Sequence, residues 1–201
     1  MKNIELEILH INEIENNYDL IIKNISKERK NKSKRYIKKN DELLSIGAGY
    51  FLFKYFKEKQ IKISKNGKPY IEGGPCFNIS HSNEYVIFAK SFDSEIGVDI
   101  EYISKENEDA IRYVLNESEK NNIKEEELFQ MWTSKESLLK CDSKNILDIK
   151  NIPGLPLNGI KIYNGNKYYT NTFKYENYSI SVTLKDSNPF NIKINKIIIT
   201  D

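Results

Sequence analysis

The segment Ile96-Gly97-Val98-Asp99-Ile100-Glu101 alternates apolar residues with glycine and acids one by one, the two-residue period of a β-strand. Such a strand has an apolar face to bury, so the rest of the chain must supply a layer to cover it. The same period sets Asp99 and Glu101 on one side. At ~3.3 Å rise per residue their α-carbons lie ~6.6 Å apart, within reach of one hard cation or its water shell. At an effective dielectric of 20, two ionised carboxylates ~5 Å apart repel by ~3 kcal/mol, so a partly buried pair requires a cation or a raised pKa. On a fully exposed face the pair costs much less and is ordinary strand decoration.

The stretch Trp132-Thr133-Ser134-Lys135-Glu136-Ser137-Leu138-Leu139-Lys140 reads as a helix. Leu128, Met131, Trp132, Leu138 and Leu139 form its apolar stripe, and Glu136, one turn beyond Trp132 and one before Leu139, sits at the core's edge. As a surface pair at i,i+4, Glu136 and Lys140 add only ~0.2–0.5 kcal/mol. As part of a site, carboxylates around magnesium with Lys135 and Lys140 alongside suit a substrate carrying several phosphates, because hard oxygen ligands and phosphates share Mg²⁺. A third segment, Phe77-Asn78-Ile79-Ser80-His81-Ser82, holds one of only two histidines. Read as a turn, it offers His81 and Ser80 as donors to a phosphate oxygen, although a lone histidine is more often structural. His10 has no such company and takes no role.

A length of 201 residues can bury a substantial core in one or two units. No window approaches the eighteen or so apolar residues of a membrane span, and the start MKNIELEILHI lacks the order of a secretory signal. A soluble cytoplasmic protein is expected. Cys76 and Cys141 are single and widely spaced, indicating neither a zinc cage nor a disulfide framework. The net charge is +2, but residues 23–40 carry nine Lys or Arg against one acid, and residues 93–136 carry thirteen acids against five bases. The basic run suits a nucleic-acid patch, a site for a phosphorylated ligand, or the solvated face of a helix.

Along the chain, residues 4–11 read as a strand, 27–39 as a polar helix capped by Ser26, and 41–56 as a more apolar helix. Asn66-Gly67 predicts a type I′ hairpin between strands at 61–64 and 68–71. Strands are predicted at 86–91 and 96–101, and helices at 105–115 and 125–141. Beyond the Pro/Gly-rich loop at 153–159 come β-branched and aromatic strands near 160–163, 167–175, 178–184 and 190–199, the first pair joined at Asn164-Gly165. An α+β architecture follows, in two comparable lobes at 1–103 and 104–201, each a small antiparallel sheet packed with helices.

Taken in order, Gly67-Lys68-Pro69, FNISHS at 77–82, GVDIE at 97–101 and WTSKESLLK at 132–140 resemble the 4′-phosphopantetheinyl transferase superfamily, in its long, two-lobed, surfactin-synthetase-activating type. Asp41 and SIGAGYFL at 45–52 extend the likeness upstream. The resemblance implies two pseudo-twofold lobes with coenzyme A between them. It implies transfer of the phosphopantetheine arm to a serine of an apo acyl or peptidyl carrier protein, releasing 3′,5′-ADP. Position by position, Asp99, Glu101 and Glu136 match the magnesium site, Glu136 also the general base, and Lys140 the group at the leaving phosphate. Lys135, His81 and Ser80 match pyrophosphate contacts, Lys68 a 3′-phosphate contact, and Arg35 and Lys39 lie near the family's N-terminal basic residues.

A base is needed because a serine hydroxyl is a poor nucleophile, and charge growing on the bridging oxygen must be offset. Three positions depart from the pattern. Leu44 stands where many relatives have Arg, and Ser143 and Asn145 stand where relatives tend to have glycines, with the turn expected at Asn145, the better residue for positive φ. Two other readings compete: a non-catalytic carrier-binding relative, which the intact acidic set and Lys140 disfavour, and a metal-dependent nuclease, which the near-neutral charge disfavours. A monomer without nucleic-acid or membrane partners is expected.

Overall fold

The computed structural model describes residues 1–57 and 60–200. Strand β1 (Lys2–His10) leads into the short helices α1 (Ile11–Asn16), α2 (Tyr18–Asn24) and α3 (Lys27–Ser33) and the long α4 (Lys39–Phe56). The hairpin β2 (Lys62–Ile63) and β3 (Pro69–Tyr70) precedes β4 (Cys76–Ser82) and β5 (Tyr85–Ser91). Then come β6 (Ile96–Tyr102), α5 (Glu108–Val114), α6 (Glu117–Asn122) and α7 (Leu128–Cys141). The final sheet strands are β7 (Gly159–Tyr163), β8 (Asn166–Tyr175), β9 (Tyr178–Leu184) and β10 (Phe190–Lys196).

These strands form two four-stranded sheets, β10-β1-β5-β4 and β6-β9-β8-β7, beside the small β2-β3 ribbon. One topology occurs twice. In β1-β5-β4 and in β6-β9-β8 the first strand of the half-chain lies beside the last, with a long helix, α4 or α7, inserted after it. The sheets share a core in which Ile4, Leu6, Ile8 and Ile87 meet Ile96, Val98, Ile100, Ile180 and Val182. Each such side chain, fully buried, contributes ~1.5–3 kcal/mol, so this layer holds the two halves together. On the outer face of the first sheet, α4 packs Leu43, Ile46 and Phe51 toward Val86 and Phe88. The α+β expectation holds.

The strands are shared out differently from a cut at 102–104. β6, expected with the N-terminal lobe, pairs antiparallel with β9, Val98 opposite Val182. β10, expected with the C-terminal lobe, pairs parallel with β1, Lys2 opposite Phe190 and Ile8 opposite Lys196. The first sheet is therefore mixed, and the chain passes between sheets at residues 92–95. The FNISHS segment is not a turn but strand β4. The polar helix expected at 27–39 stops at Ser33, with Ser26 Oγ accepting from the Arg29 amide at 3.2 Å as the cap.

At Asn66-Gly67 only Gly67 has positive φ (+85°), so the turn is a three-residue loop closed by Gly67 N–H to Ser64 O and Ser64 N–H to Lys68 O, both 2.9 Å. Asn164 (+48°) and Gly165 (+73°) do form the two-residue turn with both central φ positive. Among the described residues no helix is long and apolar enough to cross a membrane.

Candidate acidic site between the sheets

β6 is an edge strand of its sheet and leaves part of its backbone without a ladder partner. β4, the edge of the other sheet, answers with side chains at every second residue. Asn78 Oδ1 accepts from Val98 N–H at 2.9 Å, Ser82 Oγ accepts from Tyr102 N–H at 3.0 Å, and Ser80 Oγ donates to Asp99 Oδ1 at 2.9 Å. The polar residues of the motif thus stitch one sheet to the other, and Ser80 meets Asp99 in the seam.

α7 closes the site from the second sheet's outer face. A Cβ on Gly97 would lie 2.0 Å from Ser137 O and 2.4 Å from Cys141 N, so only glycine lets this helix approach β6. The contact face of α7 is small and hydroxylated. Thr133 Oγ1 lies 2.8 Å from both Ser179 and Ser181 Oγ, and Ser137 Oγ lies 2.7 Å from Thr183 Oγ1. This approach delivers Glu136 and Lys140 to Asp99. Lys140 Nζ donates to Asp99 Oδ1 at 2.5 Å and to Ser80 Oγ at 3.1 Å, and stands 3.5 Å from Glu136 Oε2.

Burial drives the electrostatics. Asp99 is 3 % exposed, and its Oδ2 is buried with no hydrogen-bond partner among the described residues. Burial raises the Asp99 pKa against the opposing charge of Lys140. Glu101 is pushed up to about 7, by burial first and then by the Asp99 charge. Glu136 is raised by burial, with Lys140 pulling it down and Asp99 pushing it up. For Lys140 burial works against the charge, but Asp99 and Glu136 outweigh it and raise the pKa. Among the described residues no group of three or more His, Cys, Asp or Glu side chains is arranged to hold a metal ion. The Lys140 ammonium instead supplies the positive charge that Asp99 and Glu136 share.

Two lysines assigned to phosphate contacts are committed elsewhere. Lys135 is 0 % exposed and donates to Glu119 Oε1 and Oε2 at 2.9 and 2.7 Å, on the far side of α7 from Asp99. Its neighbour Lys161, also buried, donates to Gly154 O at 2.8 Å and to Ser134 Oγ. Burial lowers the Lys135 pKa against Glu119; burial, then the Lys135 charge, bring Lys161 down to about 7. Lys68 places all three of its ammonium protons in protein contacts, to Glu95 Oε2 (2.9 Å), Ile96 O (3.1 Å) and Cys141 O (3.3 Å). Neither ammonium is free for a phosphate.

His81 lies on the exposed side of β4. Its pKa is lowered by partial withdrawal from water, then by the charges of Lys140 and Lys32. A groove of about 680 Å³ between α3, α4 and the β2-β3 hairpin is floored by Leu52, Phe53 and Phe56 and edged by Glu28, Arg29, Lys32 and Lys57. Arg35 and Lys39 do not line it. Arg35 is exposed, and Lys39 is held by Glu42 at 3.1 Å and by the Tyr18 ring at 4.6 Å. On the other side of Glu101, a cavity of about 570 Å³ is lined by Ser82, Asn83, Tyr102 and residues 104–107.

The departures also have places. Leu44 is buried in the core under α4. The left-handed turn after α7 falls on Ser143 (φ +52°), not on Asn145, which has φ −80° and caps the following 3₁₀ turn. Ser143 N–H to Lys140 O (3.4 Å) and Lys144 N–H to Leu139 O (3.0 Å) complete a Schellman ending.

A sequence model of the 4′-phosphopantetheinyl transferase superfamily matches residues 95–192, the stretch that carries Asp99, Glu101, Glu136 and Lys140. Over that stretch the chain is similar to that superfamily. It is similar to the 4′-phosphopantetheinyl transferase gsp of Aneurinibacillus migulanus, 32% identical over 155 residues, 67% of this chain and 63% of the relative. The match thus spans a little under two thirds of that relative's length.

Proposed function

We propose that the protein transfers the 4′-phosphopantetheine arm of coenzyme A to a serine of an apo acyl or peptidyl carrier protein, releasing 3′,5′-ADP. The observation that carries this reading is the meeting of Asp99, Glu136 and Lys140 at one seam, with an open cavity beside Glu101. The groove, with Arg29 and Lys32, suits the phosphorylated nucleotide end. The cavity beside Glu101 suits the arm and the incoming serine.

The chemistry of the donor set, though not its present arrangement around Lys140, suits magnesium. Three carboxylates of raised or opposed pKa, one with a buried oxygen lacking a partner among the described residues, are the chemistry a hard divalent cation satisfies. Asp99, Glu101 and Glu136 would hold it, and when bound it offsets charge on the pyrophosphate. Glu136, made more basic than a surface glutamate by burial, accepts the serine Oγ proton directly or through water. As the serine oxygen bonds to phosphorus and the phosphoanhydride bond breaks, Lys140 neutralises the departing phosphate oxygen. Ser80 holds both Asp99 and Lys140 in register. Both halves of the cleft come from one chain, which suits a monomer.

The test incubates the protein with coenzyme A, Mg²⁺ and several apo carrier proteins and weighs the carriers by mass spectrometry. A phosphopantetheine increment on the serine is expected, absent after chelation and absent with Glu136→Gln at unchanged circular dichroism. Full transfer by that variant overturns the role given to Glu136, and no increment on any carrier counts against the transferase reading.

A further inference from the structure

Resting on the transferase reading, we infer that the hairpin tip Asn66-Gly67-Lys68 is a positioning latch for the catalytic end of α7 rather than part of the coenzyme A binding surface. Lys68 crosses from the β2-β3 ribbon to three acceptors in the other half of the molecule: Glu95 Oε2, Ile96 O and Cys141 O. Cys141 directly follows Lys140. Two residues on, Asn66 Nδ2 donates to Ser143 O at 2.6 Å. The tip therefore binds the last carbonyl of α7, a carbonyl of the turn that ends it and the first strand residue of β6 together.

The chemistry explains why a lysine and an amide stand there. The final carbonyls of a helix have no intrahelical donor, and a cation is favoured at that negative end. Lys68 fills both needs while also pinning β6, three residues before Asp99. Ser143 occupies a left-handed conformation that non-glycine residues adopt at a cost, and the Asn66 bond falls on its carbonyl. The latch fixes the end of α7 against β6, and with it the spacing between Lys140 on one element and Asp99 on the other. A lysine with all three protons placed on protein oxygens has none left for the nucleotide.

Transfer rates for wild type, Lys68→Met and Asn66→Ala, measured with coenzyme A and with 3′-dephospho-coenzyme A, separate the two roles. As a latch, Lys68→Met lowers kcat at least tenfold by the same factor on both donors, with each donor's KM within about twofold. A loss confined to coenzyme A, appearing as a raised KM that vanishes with the dephospho donor, overturns the proposal, as does wild-type kinetics on both. Amide exchange gives a readout independent of the reaction. The amides of Asp142, Ser143 and Lys144 should exchange at least tenfold faster in both variants, the milder Asn66→Ala included. Unchanged exchange sinks the latch even if transfer is observed, while faster exchange in a protein that transfers nothing leaves the latch standing and removes only the transferase reading.

Discussion

Single residues of this site divide by how far their partners lie along the chain. Asp99, Glu101 and Glu136 were legible because strand and helix periods fix their direction locally. Lys68 and Lys135 were not, because the groups that absorb them, Cys141 O and Glu119, stand 73 and 16 residues away, and no local pattern announces that distance. Lys161 is the clearest case, an ammonium position inside a strand that reads as ordinary alternation. Its folded pKa of about 7 lies below the ~10.4 of an unfolded lysine. Between those values the unfolded chain binds a proton that the folded one does not, so stability rises with pH across about 7 to 10 and is lowest, and flat, below. Lys135 and Glu119 face Lys161, and burial lowers the Lys135 pKa as well. Urea unfolding of Lys161→Met should lose this slope; a slope equal to wild type assigns it to other groups. Ser143→Gly should raise stability by ~0.5–1 kcal/mol, since glycine enters the left-handed region freely while Asn66 still finds the carbonyl. A lower urea midpoint for that variant would show that the serine side chain stabilises the turn.

Among the elements, β4 was hidden by its own chemistry. Asn78, Ser80 and Ser82 alternate with Phe77 and Ile79 at strand period, yet their polarity suggests a turn, because the strand spends its polar face on the backbone of β6 instead of on solvent. The helix α7 was found from its apolar stripe, but the face that meets the sheet is Thr133, Ser134 and Ser137, all fully buried. Small hydroxylated residues let helix and strand come closer than leucines would, and Gly97 completes that approach. Gly97→Ala must push α7 off β6, because the obstructing atoms are backbone. We expect a loss of ~3 kcal/mol or more, seen as a lowered melting temperature, together with loss of the Lys140–Asp99 contact. Melting within 2 °C of wild type would mean the helix has slack that the close approach does not suggest.

In the whole molecule the two halves hold strands that a linear boundary assigns to the other half's territory. The α+β class and the doubled plan were readable from the alternation of patterns, but β10 beside β1 was not, since a parallel pair carries no turn signal between its members. A fragment of residues 1–103 should therefore fail to fold alone, as β6 lacks β9 and β1 lacks β10. Dispersed amide resonances from that fragment would contradict this expectation. The pairing of Asn3 with Asn191 spans 188 residues. During synthesis β1 waits, its outer edge open, until the β10 segment has followed it from the ribosome. So long-range a closure is slow, and an open strand edge is a template for aggregation. The interval before β10 arrives is the period in which a nascent copy depends most on being kept apart from its neighbours.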